Sequence, residues 1–263
     1  MKTYILKVGI GLNFLLVFSS CQKEIQIDLN SKSPQLVVEA EISDQPNSCK
    51  VKLTKTVNFS QSNNFPTVSG ALVRISDDFG NSELLTETSP GIYVAGILQQ
   101  GISGRNYLLE ISYDGQTYMA SYQMKMPTII DTLKVQSSFF GNTRFVNGEF
   151  MDSAGIENYY RLIQIVNGIP RKDIYVLDDY IQDGQLISFT LFSQEDSITT
   201  GDSVLVLLQG IDKGVYEYFR TLSQLSGGGG QSATPANPLS NINNGALGYF
   251  NAYAVKSKTI VVQ

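Results

Sequence analysis

The side chains that could do chemistry are few, and one absence sets the frame. The 263 residues contain no His. Without imidazole there is no Ser–His or Cys–His catalysis and no histidine-dependent zinc site. The thiols are Cys21 and Cys49. Cys49, Val51 and Leu53 alternate with Lys50, Lys52 and Thr54. That period of two puts Cys49 on the apolar face of a strand, as a buried structural thiol rather than a reactive one. Among the acids, the adjacent pairs Asp77-Asp78 and Asp178-Asp179 stand out as Ca²⁺ ligands or an acid/base pair. Ca²⁺ wants about six to eight oxygens, and the Ca²⁺-loop pattern with its bidentate Glu is absent around both pairs. They read as turn and surface acids. A glycosidase needs two carboxylates facing each other across a cleft, and no pair is singled out for that work. Gly227 to Gly230 lacks the Lys-Ser/Thr of a phosphate loop and reads as a surface loop. The expectation is a protein with no catalytic residue, no metal and no cofactor.

Cys21 has a different setting. The chain opens Met1-Lys2-Thr3, has a second base at Lys7, and runs apolar from Val8 to Phe18 before Ser19 and Ser20. A basic start, a short apolar stretch and a small-residue cleavage site make a secretory signal. The run is too short for a stable span, which needs about 20 apolar residues. Val17-Phe18-Ser19-Ser20-Cys21 resembles the bacterial lipobox, although Phe18 is bulkier than the usual residue there. The resemblance implies a diacylglyceryl thioether on Cys21, cleavage before it and acylation of the new N-terminus. Each buried methylene of such chains adds about 0.8 kcal/mol of membrane affinity. Residues 1–20 are then a signal peptide and 21–33 a lipidated tether. Gln22-Lys23-Glu24 is loosely similar to the acid-containing export signal of Bacteroidota surface lipoproteins, which implies an outer-membrane protein facing the cell surface. With Cys21 lipidated, Cys49 has no thiol left to pair with.

Charge and aromatic content narrow the partners. Loss of Lys2 and Lys7 with the signal takes the formal net charge of −5 to −7. No basic stripe with interleaved aromatics is present, so nucleic acid is not expected as a partner. Phe139, Phe140 and Phe145 fall in a Gly/Asn-containing segment, 139–148, that reads as a loop or hairpin tip. Phe59 and Phe65 flank a polar Ser/Asn/Gln segment. Exposed rings can stack on sugars or anchor a protein interface, so Phe139, Phe140 and Phe145 are the candidate ligand- or partner-binding residues. Equally, such rings can fold back onto the body.

The elements that must position these groups are strands. Branched and aromatic runs occur at 36–40, 50–57, 71–75, 91–94, 107–113 and 116–120, broken by turn residues. Asp114-Gly115 between two such runs predicts a tight hairpin. Residues 34–126 therefore read as an immunoglobulin-like or prealbumin-like β domain. After Pro127, runs at 129–135, 158–166, 173–177, 186–192 and 203–209 form a second, larger β domain over 127–263. Asp212 reads as an N-cap. Val215, Tyr218, Phe219, Leu222 and Leu225 recur at helical spacing, which predicts one amphipathic helix near 213–225. Runs at 245–254 and 257–262 close the domain as strands. Asn241 to Gly248, rich in Asn and Gly, reads as a structured turn.

Several segments together resemble one family. Glu24 to Asp28 and Pro34 to Ala40 come first, then Val51 to Thr54, Ser69 to Val73 and Gly91-Ile92-Tyr93. Asn158 to Arg161 and Ser240 to Phe250 complete the series. In this order they are similar to the Bacteroidota lipoproteins grouped as domain of unknown function 4249. The resemblance covers nearly the whole mature chain and implies no catalytic residues. It implies an accessory lipoprotein, non-enzymatic, that works beside a TonB-dependent outer-membrane receptor carrying a carboxypeptidase-regulatory-like N-terminal domain. A structural or assembly factor of the envelope is the alternative expectation.

Overall fold

The computed structural model describes residues 33–58, 64–137, 143–192, 198–226 and 237–263. The signal segment, Cys21, the tether through residue 32, Phe59, Phe139, Phe140 and Gly227 to Gly230 lie outside the described residues. From Lys32 to Gln263 the chain is one compact unit.

The first half supplies eight strands: β1 (Leu36–Ser43), β2 (Lys50–Lys55), β3 (Leu72–Asp77), β4 (Ser82–Leu84), β5 (Thr86–Ser89), β6 (Ile92–Val94), β7 (Asn106–Tyr113) and β8 (Gln116–Gln123). The second half supplies β9 (Thr132–Ser137), β10 (Arg144–Met151), β11 (Tyr159–Val166), β12 (Ile169–Pro170), β13 (Tyr175–Asp178), β14 (Leu186–Leu191) and β15 (Ser203–Ile211). The helix α1 (Lys213–Ser226) and β16 (Leu247–Val261) complete it. Two hairpins turn tightly, the first where the sequence predicts it. Asp114 and Gly115 have φ of 52° and 73°, and Asn167 and Gly168 have 50° and 81°. Positive φ at both central residues matches the right-handed twist of the flanking strands.

One long sheet runs β12-β11-β15-β16-β1-β2-β6-β5, with β13 beside the first half of β11. The strand that unites it is β16. Its first half pairs parallel with β1, from Val37 with Leu247 to Ser43 with Tyr253. Its second half pairs antiparallel with β15, from Gly210 with Ala254 to Ser203 with Val261. A four-stranded sheet, β4-β3-β7-β8, and a three-stranded sheet, β14-β10-β9, complete two sandwiches. The first core holds Val38, Ile42, Leu53, Ile75, Leu109, Ile111 and Phe250. The second holds Val146, Phe150, Tyr160, Leu162, Phe189 and Val206. A third cluster packs α1, through Val215, Tyr216 and Phe219, on Tyr159 and Ile211. Neighbours in β11 thus serve different cores: Tyr160 and Leu162 face the second, and Tyr159 the helix.

Among the described residues the architecture is mostly β and sandwich-like with one helix, as the pattern predicts. The sequence boundary at 126/127 falls between the two cores, but the last segment joins both. Ile242, Ala246 and Phe250 lie in the first core, and Val262 in the second.

Two local expectations are corrected. The segment 139–148 is not wholly a loop, because Arg144 to Gly148 belong to β10. Gly148 is there because the Phe189 ring lies over it: a Cβ would come within 2.3 Å of that ring. The two closing strands are one, β16, whose partner changes midway. The Asn-rich stretch before it seals an edge. Met119 N–H donates to Asn243 Oδ1 at 2.7 Å and Asn243 N–H to Met119 O at 3.1 Å, so Asn243 satisfies the free edge of β8. Asn241 does the same for Phe250, accepting from its N–H at 2.9 Å and donating to its carbonyl at 2.8 Å.

Candidate functional site

A pocket of about 630 Å³ lies between α1 and the loops that follow β10 and β13. Those loops meet at one residue. Asn158, buried at the head of β11, donates its backbone N–H to Asp179 Oδ2 at 2.8 Å. Its Nδ2 donates to Asp152 Oδ1 at 3.2 Å and to the carbonyls of Ser153 and Ile156, each at 3.0 Å. Asp152 also accepts from the Tyr160 hydroxyl and, at 2.8 Å, from Gly184 N–H. Asp183 accepts from Gly155 N–H at 2.7 Å. In this way three acids from two separate loops, Asp152, Asp179 and Asp183, bring one carboxylate oxygen each within 4.8 Å of the others.

The electrostatics of the cluster are unfavourable for free carboxylates. Asp179 is 3% exposed. Burial pushes its carboxyl above the ordinary range, the Asn158 N–H opposes this, and the charges of Asp152 and Asp183 add to the rise. On the helix side, Lys213 pairs with Glu157 at 3.3 Å and Arg220 with Glu217 at 2.5 Å. Asp178 accepts from the Tyr216 hydroxyl at 2.6 Å. That hydroxyl is pushed up to about 12, first by burial and then by Asp178. Chemically, the arrangement can hold a cation. Three hard oxygens would take a divalent ion with water completing its shell, and carboxylates beside tyrosine faces would take an ammonium or guanidinium group.

The helix reaches the site through its cap. Asp212 Oδ1 accepts from Gly214 N–H at 2.6 Å and Val215 N–H at 3.1 Å, as an N-cap should. Its other oxygen is buried without a hydrogen-bond partner. Burial, against the two capping amides, raises Asp212 from 3.8 to about 6. A raised carboxyl binds its proton more tightly in the folded state. Its contribution is therefore fully present below the unfolded value and is lost as pH rises through about 6. Asp212→Asn keeps a capping oxygen and removes the charge. The variant is expected to be more stable than the wild type near pH 8 by up to about 3 kcal/mol, with the gain gone near pH 4. Urea unfolding at the two pH values checks this, since an offset independent of pH would show that the charge is not responsible.

Sequence reasoning singled out Asp178 and Asp179 as turn and surface acids. Asp178 is exposed, but Asp179 is buried. Asp152 and Asp183 carried no sequence signal, and Asn158 figured only as the start of a strand run and of one segment of the family resemblance. Asp77 anchors a turn, accepting from Phe79 N–H, Asn81 N–H and the Arg105 guanidinium, the last at 2.7 Å. Phe145 sits half-buried on β10 with its ring 5.2 Å from that of Phe192, and it does not line the pocket. Phe65 is 51% exposed. Cys49 is buried, and burial, with a smaller effect from Glu83, pushes its thiol up to about 12.

A family model described as "Domain of unknown function (DUF4249)" matches residues 22–259. The chain belongs to this family. No curated protein matches it. Among solved structures, the FN1–FN3 domains of chicken CNTN1 are similar at 10% identity and a TM-score of 0.25, with 68% of this chain and 62% of that chain covered. Trypsin-activated alpha-2-macroglobulin from Escherichia coli is similar at 13% identity and a TM-score of 0.20, covering 69% and 15%. The chain thus spans less than two thirds of either of these structures.

Proposed function

We propose that this member of the DUF4249 family is a non-enzymatic lipoprotein of the outer membrane, anchored through Cys21 and facing the cell surface. Its β body serves as accessory or ligand-capturing partner of a TonB-dependent receptor. The observation that carries the reading is the N-terminal sequence: a basic start, an apolar run and Ser19-Ser20-Cys21. Among the described residues no helix is long and apolar enough to cross a membrane. The chain has no His, and Asp152 and Asp179 lie side by side and take hydrogen bonds from within. Such placement suits a binding site better than two carboxylates facing across a sugar-sized cleft.

Pull-down of the full-length protein from detergent-solubilised outer membrane is expected to recover a TonB-dependent receptor in stoichiometric amount. Recovery of the lipoprotein alone would contradict the reading.

A further inference from the structure

The rim of the pocket is apolar. Tyr180 is 89% exposed, Ile181 84%, and Ile156, on the other loop, 54%. Tyr180 and Ile156 both belong to the pocket wall. The Tyr180 loop is tied down. Tyr180 N–H donates to Asp178 Oδ1 at 3.2 Å, and Gln182 N–H to the Asp179 carbonyl at 2.8 Å. Large apolar side chains held outward on a fixed loop mark a contact surface. An occupant confined to the pocket would leave them in water, so the occupant extends over the rim.

Charge identifies what enters. The two bases of the wall, Lys213 and Arg220, are paired with Glu157 and Glu217. The charge of Asp178 bears on Arg220 as well. Among the described residues, no base stands within ion-pair distance of Asp178, Asp179 or Asp183, which also line the pocket. The wall therefore has an excess of negative charge, and Tyr159, Tyr180 and Tyr216 line it as well, with Tyr180 the exposed ring among them. Carboxylates next to aromatic faces recognise guanidinium and ammonium groups, by charge-assisted hydrogen bonds and cation–π attraction.

We infer that this surface docks a partner protein that inserts an Arg or Lys side chain into the pocket and covers Tyr180, Ile181 and Ile156 with the apolar residues flanking it. The inference rests on the proposed role as an accessory binding lipoprotein and names the surface used. An arginine fits the site better than a lysine, because its planar fork can meet the exposed carboxylates of Asp178 and Asp183 and stack on a tyrosine together.

The test uses the full-length lipidated protein on intact cells. A photo-crosslinking amino acid replaces Tyr180, and in a control it replaces Phe79, which is 71% exposed on the turn after β3. The expected result is a crosslink at position 180, not at 79, to one other protein, with the crosslinked peptide containing Arg or Lys. Asp183→Asn and Asp183→Lys should each cut the crosslink yield, the latter at least about tenfold, and reversing the partner's base to Glu should restore it with Asp183→Lys. Asp183→Asn retains an oxygen for Gly155 N–H, which keeps the loop folded while removing the charge. A crosslinked peptide without a base, a yield indifferent to both Asp183 variants, or crosslinking only to a second copy overturns the inference. So does a rise in melting temperature with spermidine or Ca²⁺ when no protein is crosslinked, which would assign the pocket to a small cation. A base-containing partner that is not a transporter upholds the docking surface and contradicts the transporter reading. A co-purified transporter that never crosslinks at 180 does the reverse.

Discussion

Gly248→Ala is expected to leave the protein without a stable fold. Gly248 sits in the parallel pairing of β1 with β16, opposite Val38, with φ of 94°. A Cβ there would lie 1.9 Å from the Val38 carbonyl oxygen and 2.8 Å from its carbon. No rotamer relieves a backbone contact, so the two strands must part, and this pairing joins the halves of the long sheet. A close approach of backbone to backbone is one of the few places where a strand requires glycine. The expected loss is more than about 4 kcal/mol, in the range that unfolds a marginal domain. Gly245→Ala is the control: its φ is 75°, but nothing lies within 4 Å of the added carbon. It should cost only the left-handed strain, about 1–2 kcal/mol. Circular dichroism and urea melts of the pair separate the two effects. Similar losses in both would show that conformational strain, rather than the approach to Val38, is what glycine relieves.

Asp152→Ala is expected to be the most damaging change at the candidate site. The carboxylate satisfies three donors at once: the Tyr160 hydroxyl, Asn158 Nδ2 and Gly184 N–H. Removing it takes an acceptor from the Tyr160 hydroxyl and Gly184 N–H, while Asn158 Nδ2 keeps the carbonyls of Ser153 and Ile156, at about 1–3 kcal/mol for each group that water cannot reach. Relief of repulsion with Asp179 offsets part of this. A net loss of about 3 kcal/mol is expected in urea unfolding. Asp152→Asn should lose less, because one oxygen still accepts from Tyr160 and Asn158, while the amide opposes Gly184 N–H. A gain in stability with Ala would show that carboxylate repulsion outweighs the hydrogen bonds.

What could be read from the sequence was local. Alternation identified β1, β2, β7 and β8, Asp114-Gly115 marked a turn, and Asp212 with the spacing of Val215, Phe219 and Leu222 located α1. What escaped depends on pairing between distant segments. β10 looked like a loop because Asn147 and Gly148 are turn residues, and its glycine is explained only by the Phe189 ring across the sheet. β16 looked like two strands because its apolar pattern changes where it leaves β1 for β15. The acid cluster was invisible for the same reason. Asp152 and Asp183 meet only because β10 pairs with β14 and β11 with β13, which folds two loops onto Asn158. The adjacent pair Asp178-Asp179 was conspicuous in sequence, yet its members point to different surroundings, one to Tyr216 and one to Asn158.

The most direct measurement compares wild type and Cys21→Ala in intact cells, with external protease applied before the β body is probed in the outer-membrane fraction. The expected result is a wild type that is membrane-bound and digested, and a Cys21→Ala protein that is no longer in the membrane fraction. A wild type that is bound but protected would place the body in the periplasm and favour the assembly-factor reading. Cys21→Ala remaining membrane-bound like the wild type would contradict the lipid anchor itself.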